Sequence, residues 1–256
     1  MSEHTPSREC GQSQPVAAAT AGDFSDELQE VLITGAAGNL GREVLKVFAS
    51  KGIYTLSAVV RHREQFHRLP EIPHLRKLAV DLTDEYAVAQ ALEQHYGTHA
   101  PHHVLLLAGG FAMGDLNQSN LRVIRQMLAL NFESAYHVVR LLLPRMVERG
   151  HGRFVFIGSV PGIQPDAARR MIAYALSKGL LVQLAQYINA FAQGTDVGAT
   201  VLVPHIIDTP DNRRSMPDAD FRKWVKPHQL AELMHQLCRG AASHLREPVL
   251  RVWPPA

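Results

Sequence analysis

Val31-Leu32-Ile33-Thr34-Gly35-Ala36-Ala37-Gly38-Asn39-Leu40-Gly41 is the stretch that decides the fold. Its first three residues form a short apolar run, the pattern of a strand buried on both faces. Gly35, Gly38 and Gly41 recur at every third position straight after it. Apolar spacing from about Leu40 to Lys51 then predicts a helix. Glycines at a strand-to-helix turn let the backbone bend tightly and approach an anion. The helix N-terminus adds unpaired N–H groups and partial positive charge. The segment therefore reads as a pyrophosphate-binding turn, with Gly35, Gly38, Asn39, Leu40 and Gly41 against a dinucleotide.

The same theme repeats outward. Tyr54–Val60, Leu78–Val80, Val104–Leu107, Arg153–Ile157, Ala199–Val203 and Val249–Val252 read as strands. Helical spacing marks Glu85–Tyr96, a long stretch at about Leu121–Glu148, Ala173–Phe191 and about Pro227–Arg239, with an irregular segment up to Trp224. Strands alternating with helices predict an α/β fold: a single-domain, Rossmann-type, doubly wound parallel sheet with helices on both faces.

Composition narrows the function classes. The 256 residues carry 26 Lys+Arg against 24 Asp+Glu and are 46% hydrophobic. A net charge of +2 gives no reason to expect a nucleic-acid or membrane partner. No apolar run reaches the roughly 18 residues of a membrane-spanning helix. Cys10 and Cys238 cannot build a disulfide framework, which points to a reducing, cytoplasmic setting. The Ser/Pro/Gly/Gln/Ala-rich start lacks a secretory pattern. It is expected to be a flexible extension, 1–28, ahead of a domain at 29–256.

The end of the second strand selects between cofactors. A carboxylate about 20 residues after the glycines would hold a ribose hydroxyl and favour NAD(H). Here Val59-Val60-Arg61-His62-Arg63 contains no acid before Glu64. Arg61 suits a 2′-phosphate, so NADP(H) is expected over NAD(H).

Tyr174-Ala175-Leu176-Ser177-Lys178 places a phenol and an ammonium four residues apart on one helix face. An isolated phenol, with a pKa near 10, is a poor acid–base group at neutral pH. A nearby ammonium, helped by an oxidised nicotinamide, is expected to favour the phenolate and lower it. Ser159, ending the fifth strand, can hydrogen-bond a substrate oxygen. His95, His99, His102 and His103 carry no accompanying ligand spacing, so a solvated connection is expected there and no metal site. Cys238 reads as a core residue, and Arg169-Arg170 as a solvent-facing pair. Trp224 and Phe221 fit either a lid or aromatic packing.

Taken in order, Thr34 to Gly41, Asp81-Leu82, Ala108-Gly109, Asn131, Ser159, Tyr174, Lys178 and Pro204 to Thr209 resemble the short-chain dehydrogenase/reductase family, over nearly all of the chain after residue 30. The resemblance implies Tyr174 as proton donor and Ser159 as the substrate-orienting hydroxyl. It implies Lys178 on the nicotinamide ribose and Asn131 at a helix distortion that holds a relay water. Asp81 would contact adenine, Leu82, Ala108 and Gly109 would line the cofactor, and Thr209 would reach its carboxamide or a phosphate. A small-molecule substrate and a homo-oligomer, dimer or tetramer, are implied as well. Two departures stand out: His205 replaces the glycine after the proline, and the 15-residue step from Ser159 to Tyr174 is longer than the family's usual one. Asp208 to Phe221 and Ala108 to Gly114 are similar to dihydropteridine reductases, which implies a carbonyl or a pterin-like imine as hydride acceptor. The alternative is a non-catalytic NADP-binding sensor.

Overall fold

Seven parallel strands form one sheet in the order β3-β2-β1-β4-β5-β6-β7. The computed structural model describes residues 28–242 and 245–254. The expected extension lies outside these, apart from Leu28. The strands are β1 (Gln29–Thr34), β2 (Tyr54–Val60), β3 (Arg76–Ala79), β4 (His103–Leu106), β5 (His151–Ile157), β6 (Asp196–Pro204) and β7 (Val249–Val252). The helices are α1 (Asn39–Ser50), α2 (Glu85–Tyr96), α3 (Leu121–Leu128), α4 (Ser134–Arg149), the four-residue α5 (Pro165–Ala168), α6 (Ile172–Phe191), α7 (Pro210–Ser215) and α8 (Pro227–Leu237). A 3-10 helix spans Arg63–Arg68 and a π-helical turn spans Ala129–Glu133.

The alternation of side chains along each strand feeds two cores. Leu32, Val104, Leu106, Phe154 and Phe156 point to one face, where α2, α4 and α6 cover them with Leu92, Leu142, Met146 and Leu181. Val31, Ile33, Leu105, Val155 and Ile157 point to the other, against Val44, Leu45 and Phe48 of α1 and Leu230 and Met234 of α8. Burial on both faces explains the continuous apolar runs. Strand order reverses between β1 and β4. Crossovers leave in opposite directions there, and a crevice opens beyond the strands' carboxyl ends, where such folds take ligands.

The long helix expected at about Leu121–Glu148 carries a π-helical turn at Ala129–Glu133, a distortion that falls at Asn131 as the resemblance implied. Two expectations need correction. The irregular segment contains α7, whose Pro210-Asp211-Asn212-Arg213-Arg214-Ser215 has no apolar residue to mark it. The histidines are not a solvated connection. His95 lies on α2 and hydrogen-bonds Ser57 at 2.9 Å, His102 Nδ1 accepts from the Glu30 amide at 3.0 Å, and His103 is buried in β4 beside Gln29. Only His99 of the four is exposed. Among the described residues no cluster of His, Cys, Asp and Glu is arranged to hold a metal. Cys238 is buried, and Arg169 and Arg170 are exposed, as expected. Trp224, 3% exposed, is a packing residue and no lid.

Candidate active site

The turn after β1 is built by its glycines. Gly35 has φ +64°, and a Cβ there would stand 2.8 Å from the Ala108 amide nitrogen. A Cβ on Gly41 would meet the Gly35 carbonyl oxygen at 2.4 Å, so only glycine lets α1 sit this close to the turn. Thr34 Oγ1 accepts from the amides of Leu107 and Ala108 at 3.0 and 3.2 Å, which ties this turn to the end of β4. Helix α1 begins after Gly38 with no side-chain cap and no acidic residue in its first turn. Its first amides and positive dipole end face the crevice, the arrangement that binds an anionic group.

A cavity of about 280 Å³ opens beside this turn. Gly35, Gly38, Arg61, Asp81, Leu82, Ala108 and Gly109 line it, seven of the positions expected for the cofactor. Asn39, Leu40, Gly41, Tyr174, Lys178 and Thr209 stand outside its lining. Gln65, Thr83, Leu130 and Ser134 line it without having been anticipated. Arg61 and Asp81 are paired: Arg61 Nε and Nη2 both reach Asp81 Oδ2, at 3.0 and 2.9 Å. Asp81 Oδ1 also accepts from the amide and hydroxyl of Thr83. Although burial alone would raise the Asp81 carboxyl, these donors and the guanidinium hold it below its usual range. Gln65 Oε1 accepts from the amides of Arg61 and His62, fixing the end of β2.

The second cluster joins β4, the π-helical turn, β5 and α6. Asn131 is 1% exposed. Its Oδ1 accepts from the Gly110 amide at 2.9 Å, and its Nδ2 donates to the Gly110 carbonyl at 3.1 Å and to Ser177 Oγ at 3.0 Å. Ser177 in turn donates to the Tyr174 carbonyl at 2.8 Å. Asn131 thus binds the loop after β4 to the first turn of α6. A Cβ on Gly109 would stand 2.4 Å from Asn131 Oδ1 and 3.4 Å from Lys178 Nζ, so the three meet. Gly162 packs bare backbone on Lys178 and Gly179, which seats the long connection between Ser159 and Tyr174 against α6.

Lys178 is buried and donates to the Ile157 carbonyl at 2.8 Å; burial drives its ammonium down to about 8. Burial raises the Tyr174 phenol above its ordinary value, and the neighbouring Ser159 hydroxyl offsets part of that rise. Here the Lys178 ammonium is directed at the Ile157 carbonyl, and burial is the larger influence on the Tyr174 phenol. Ser159 Oγ is buried beside the phenol and has no partner at ordinary hydrogen-bond length among the described residues. Phe111, 59% exposed, stands edge-on to the Tyr174 ring at 5.0 Å. The Gly114 amide donates to the Arg170 carbonyl and the Ile172 amide to the Gly114 carbonyl, so the loop after β4 is stitched to the start of α6.

The third wall is α7. Thr209 caps it, its Oγ1 accepting from the Asn212 amide at 3.2 Å. Asn39 Nδ2 donates to Asp211 at 2.8 Å, which links α7 to the glycine turn. Of the residues singled out by sequence, Asn131, Ser159, Tyr174, Lys178 and Gly109 come together. Arg61, Asp81, Leu82 and Ala108 form the neighbouring cavity.

The short chain dehydrogenase family profile matches residues 29–220. The chain belongs to that family, whose members are oxidoreductases that bind NAD(P) and act on small molecules. It is 29% identical over 128 residues to a tropinone reductase homolog of Arabidopsis thaliana, covering 46% of this chain and 41% of that one. It is 26% identical over 212 residues to a dihydropteridine reductase of Dictyostelium discoideum, covering 81% and 87%. The fold superimposes with a TM-score of 0.80 on a putative NAD(P)-dependent gluconate 5-dehydrogenase of Beutenbergia cavernae, crystallised with NADP at low occupancy. That pair is 24% identical and covers 90% and 97% of the two chains. No helix among the described residues is long and apolar enough to cross a membrane.

Proposed function

We propose that the chain is an NADPH-dependent reductase that reduces a carbonyl or a pterin-like imine, with Tyr174 as proton donor. The observation that carries this reading is the unsatisfied Ser159 hydroxyl beside a protonated, enclosed Tyr174, at the carboxyl edge of β5. An oxygen or nitrogen of the substrate completes the Ser159 hydroxyl's hydrogen bonding, and Ser159 orients it towards Tyr174.

The residues fit a nicotinamide dinucleotide. The uncapped start of α1 receives its pyrophosphate, the cavity of Arg61 and Asp81 its adenosine, and Lys178 and Thr209 the nicotinamide end. When bound, the dinucleotide supplies the hydride. Tyr174 Oη gives its proton to the substrate atom that gains negative charge, and solvent protons return to Tyr174 past Lys178 and Asn131. Phe111 and Tyr174 wall the substrate on one side. The guanidinium of Arg61 favours NADP(H), since it matches a 2′-phosphate once it gives up Asp81. Tyr187 and Phe191 of α6 and Tyr136 of α4 are exposed aromatics that suit a homo-oligomer face. A cytoplasmic site is the setting this reading adopts.

Replacing Tyr174 with Phe is expected to remove most turnover on carbonyl substrates while NADPH binding stays unchanged in fluorescence titration. A fully active Tyr174→Phe enzyme contradicts the mechanism. Tight NADPH binding with no oxidation by any carbonyl or pterin favours the sensor.

A further inference from the structure

Ser119 lies in a compact turn between β4 and α3, in none of the roles assigned above. It is 9% exposed, a buried hydroxyl among the exposed Leu116, Asn117, Gln118 and Asn120. Local hydrogen bonds build the turn. Asp115 Oδ1 accepts from the amides of Asn117 and Gln118 at 2.9 and 3.0 Å, and Gln118 Oε1 accepts from the Asp115 amide at 3.3 Å. The Ser119 amide donates to the Asp115 carbonyl at 2.9 Å. This frame aims the Ser119 side chain inward, where Oγ donates to the Gly114 carbonyl at 3.0 Å.

That carbonyl has a second donor. Helix α6 starts at Ile172 with no side-chain cap and no acidic residue in its first turn. The first amides of such a helix must be paired from elsewhere. Here the Ile172 amide donates to the Gly114 carbonyl at 3.0 Å, and the Gly114 amide donates to the Arg170 carbonyl at 2.7 Å. Gly114 thus forms a parallel bridge with Met171, and a loop from across the cleft caps the helix. Gly114 has φ +147°, and a Cβ there would stand 2.9 Å from Ser119 Oγ, so the contact of peptide and hydroxyl needs glycine.

Tyr174 follows Ile172 two positions later and is held from two sides. Asn131 acts through Ser177, which donates to the Tyr174 carbonyl. Ser119 acts through Gly114 on the helix start. Phe111, on the same loop between Gly110 and Gly114, meets the Tyr174 ring at 5.0 Å. We infer that Ser119 is a positioning residue for Tyr174: its hydroxyl fixes the carbonyl that caps α6, and so sets where the phenol stands towards Ser159 and the substrate. The inference rests on the proton-donor reading of Tyr174 given above.

Ser119→Ala removes the hydroxyl and leaves the Gly114 peptide in place. Asn120→Ala is the control, since Asn120 Oδ1 accepts from the Val123 amide at 3.2 Å and caps α3 instead. For both proteins and wild type the measurements are kcat and KM for a carbonyl substrate, the NADPH Kd, the solvent deuterium isotope effect on kcat, and hydrogen exchange of the peptide containing Ile172. In Ser119→Ala kcat is expected to fall roughly tenfold, because a reacting group displaced by about 1 Å can lose up to about 10²-fold. KM and the NADPH Kd stay unchanged, the isotope effect rises as proton delivery slows, and exchange at Ile172 quickens. Asn120→Ala keeps wild-type values of kcat, isotope effect and Ile172 exchange. Wild-type kcat in Ser119→Ala overturns the inference, as does an equal loss in both variants. A fall in kcat without a rise in the isotope effect, or with unaltered exchange at Ile172, assigns the loss to another cause and overturns it too. Failure of the proton-donor reading looks different: Tyr174→Phe then keeps full turnover. The exchange measurement needs no turnover and still decides whether Ser119 fixes the start of α6.

Discussion

Burial moves Lys178 and Tyr174 in ways that matter for direction. The Lys178 ammonium is brought down to about 8, while the Tyr174 phenol is pushed above its usual value. A phenol that holds its proton through neutral pH is suited to giving it away, which is the need of a reduction. Lys178 is charged below about 8 and loses its proton as pH rises through that value. The pH profile of kcat/KM for reduction is expected to fall there. In Lys178→Arg the fall should move to higher pH, since a guanidinium keeps its charge. A descending limb at the same pH in both proteins would assign the titration to another group. The Tyr174–Lys178 pair was legible in the sequence because the two residues are one helical turn apart. What the spacing did not carry is where the ammonium points, because its partner, the Ile157 carbonyl, is 21 positions away.

At the scale of the element, the π-helical turn Ala129–Glu133 carries the site. The extra residue in the turn places Asn131 inward, against Gly110 and Ser177. Asn131→Ala leaves the Gly110 amide and carbonyl and Ser177 Oγ without these partners in a buried place. It is expected to cost about 1–3 kcal/mol of stability by urea denaturation and to lower kcat more than it raises KM. An unchanged unfolding midpoint would remove Asn131 as the tie between loop and helix. Gly41→Ala drives a methyl into the Gly35 carbonyl oxygen and Ala36 backbone. It is expected to destabilise by about 1–3 kcal/mol and weaken dinucleotide binding, with titration by NADPH as the check. Elements buried on both faces were readable as apolar runs, and β2, α2 and β7 fall where expected. The edge strand β3 was read late because Arg76 and Lys77 at its start are exposed, leaving no apolar pattern. Helix α7 left only the Thr209-Pro210 pair as its signal, a cap followed by proline at the first helical position.

For the whole molecule, the reversal of strand order between β1 and β4 sets the crevice and gathers chain segments far apart in sequence. The opposite edge of the sheet holds buried histidines. Burial lowers His102 to about 4 and His103 to about 3, with Arg149 acting in the same sense on both. Unfolded histidines titrate near 6.5. Above that pH both states are neutral and nothing is lost. As pH falls below it, the unfolded chain takes up protons the fold refuses, so stability declines until the folded values are reached. The decline is expected to be on the order of a few kcal/mol between pH 6.5 and about 4, read from urea midpoints. A His103→Gln variant should flatten it, and an equally steep loss in that variant would place the acid lability elsewhere. The histidines were misread as a solvated connection because polar residues at a strand's first position look like loop. Only the pairing of His103 with Val31 and Arg153 shows otherwise.

The most direct test of the reading is NADPH oxidation by purified wild type and Tyr174→Phe protein across a panel of ketones, aldehydes and quinonoid dihydropterins. The expected result is turnover of at least one carbonyl by wild type, reduced about 10²-fold or more in the variant, with equal NADPH affinity in the two proteins. Equal turnover by both proteins, or tight binding without oxidation on every substrate, would contradict it.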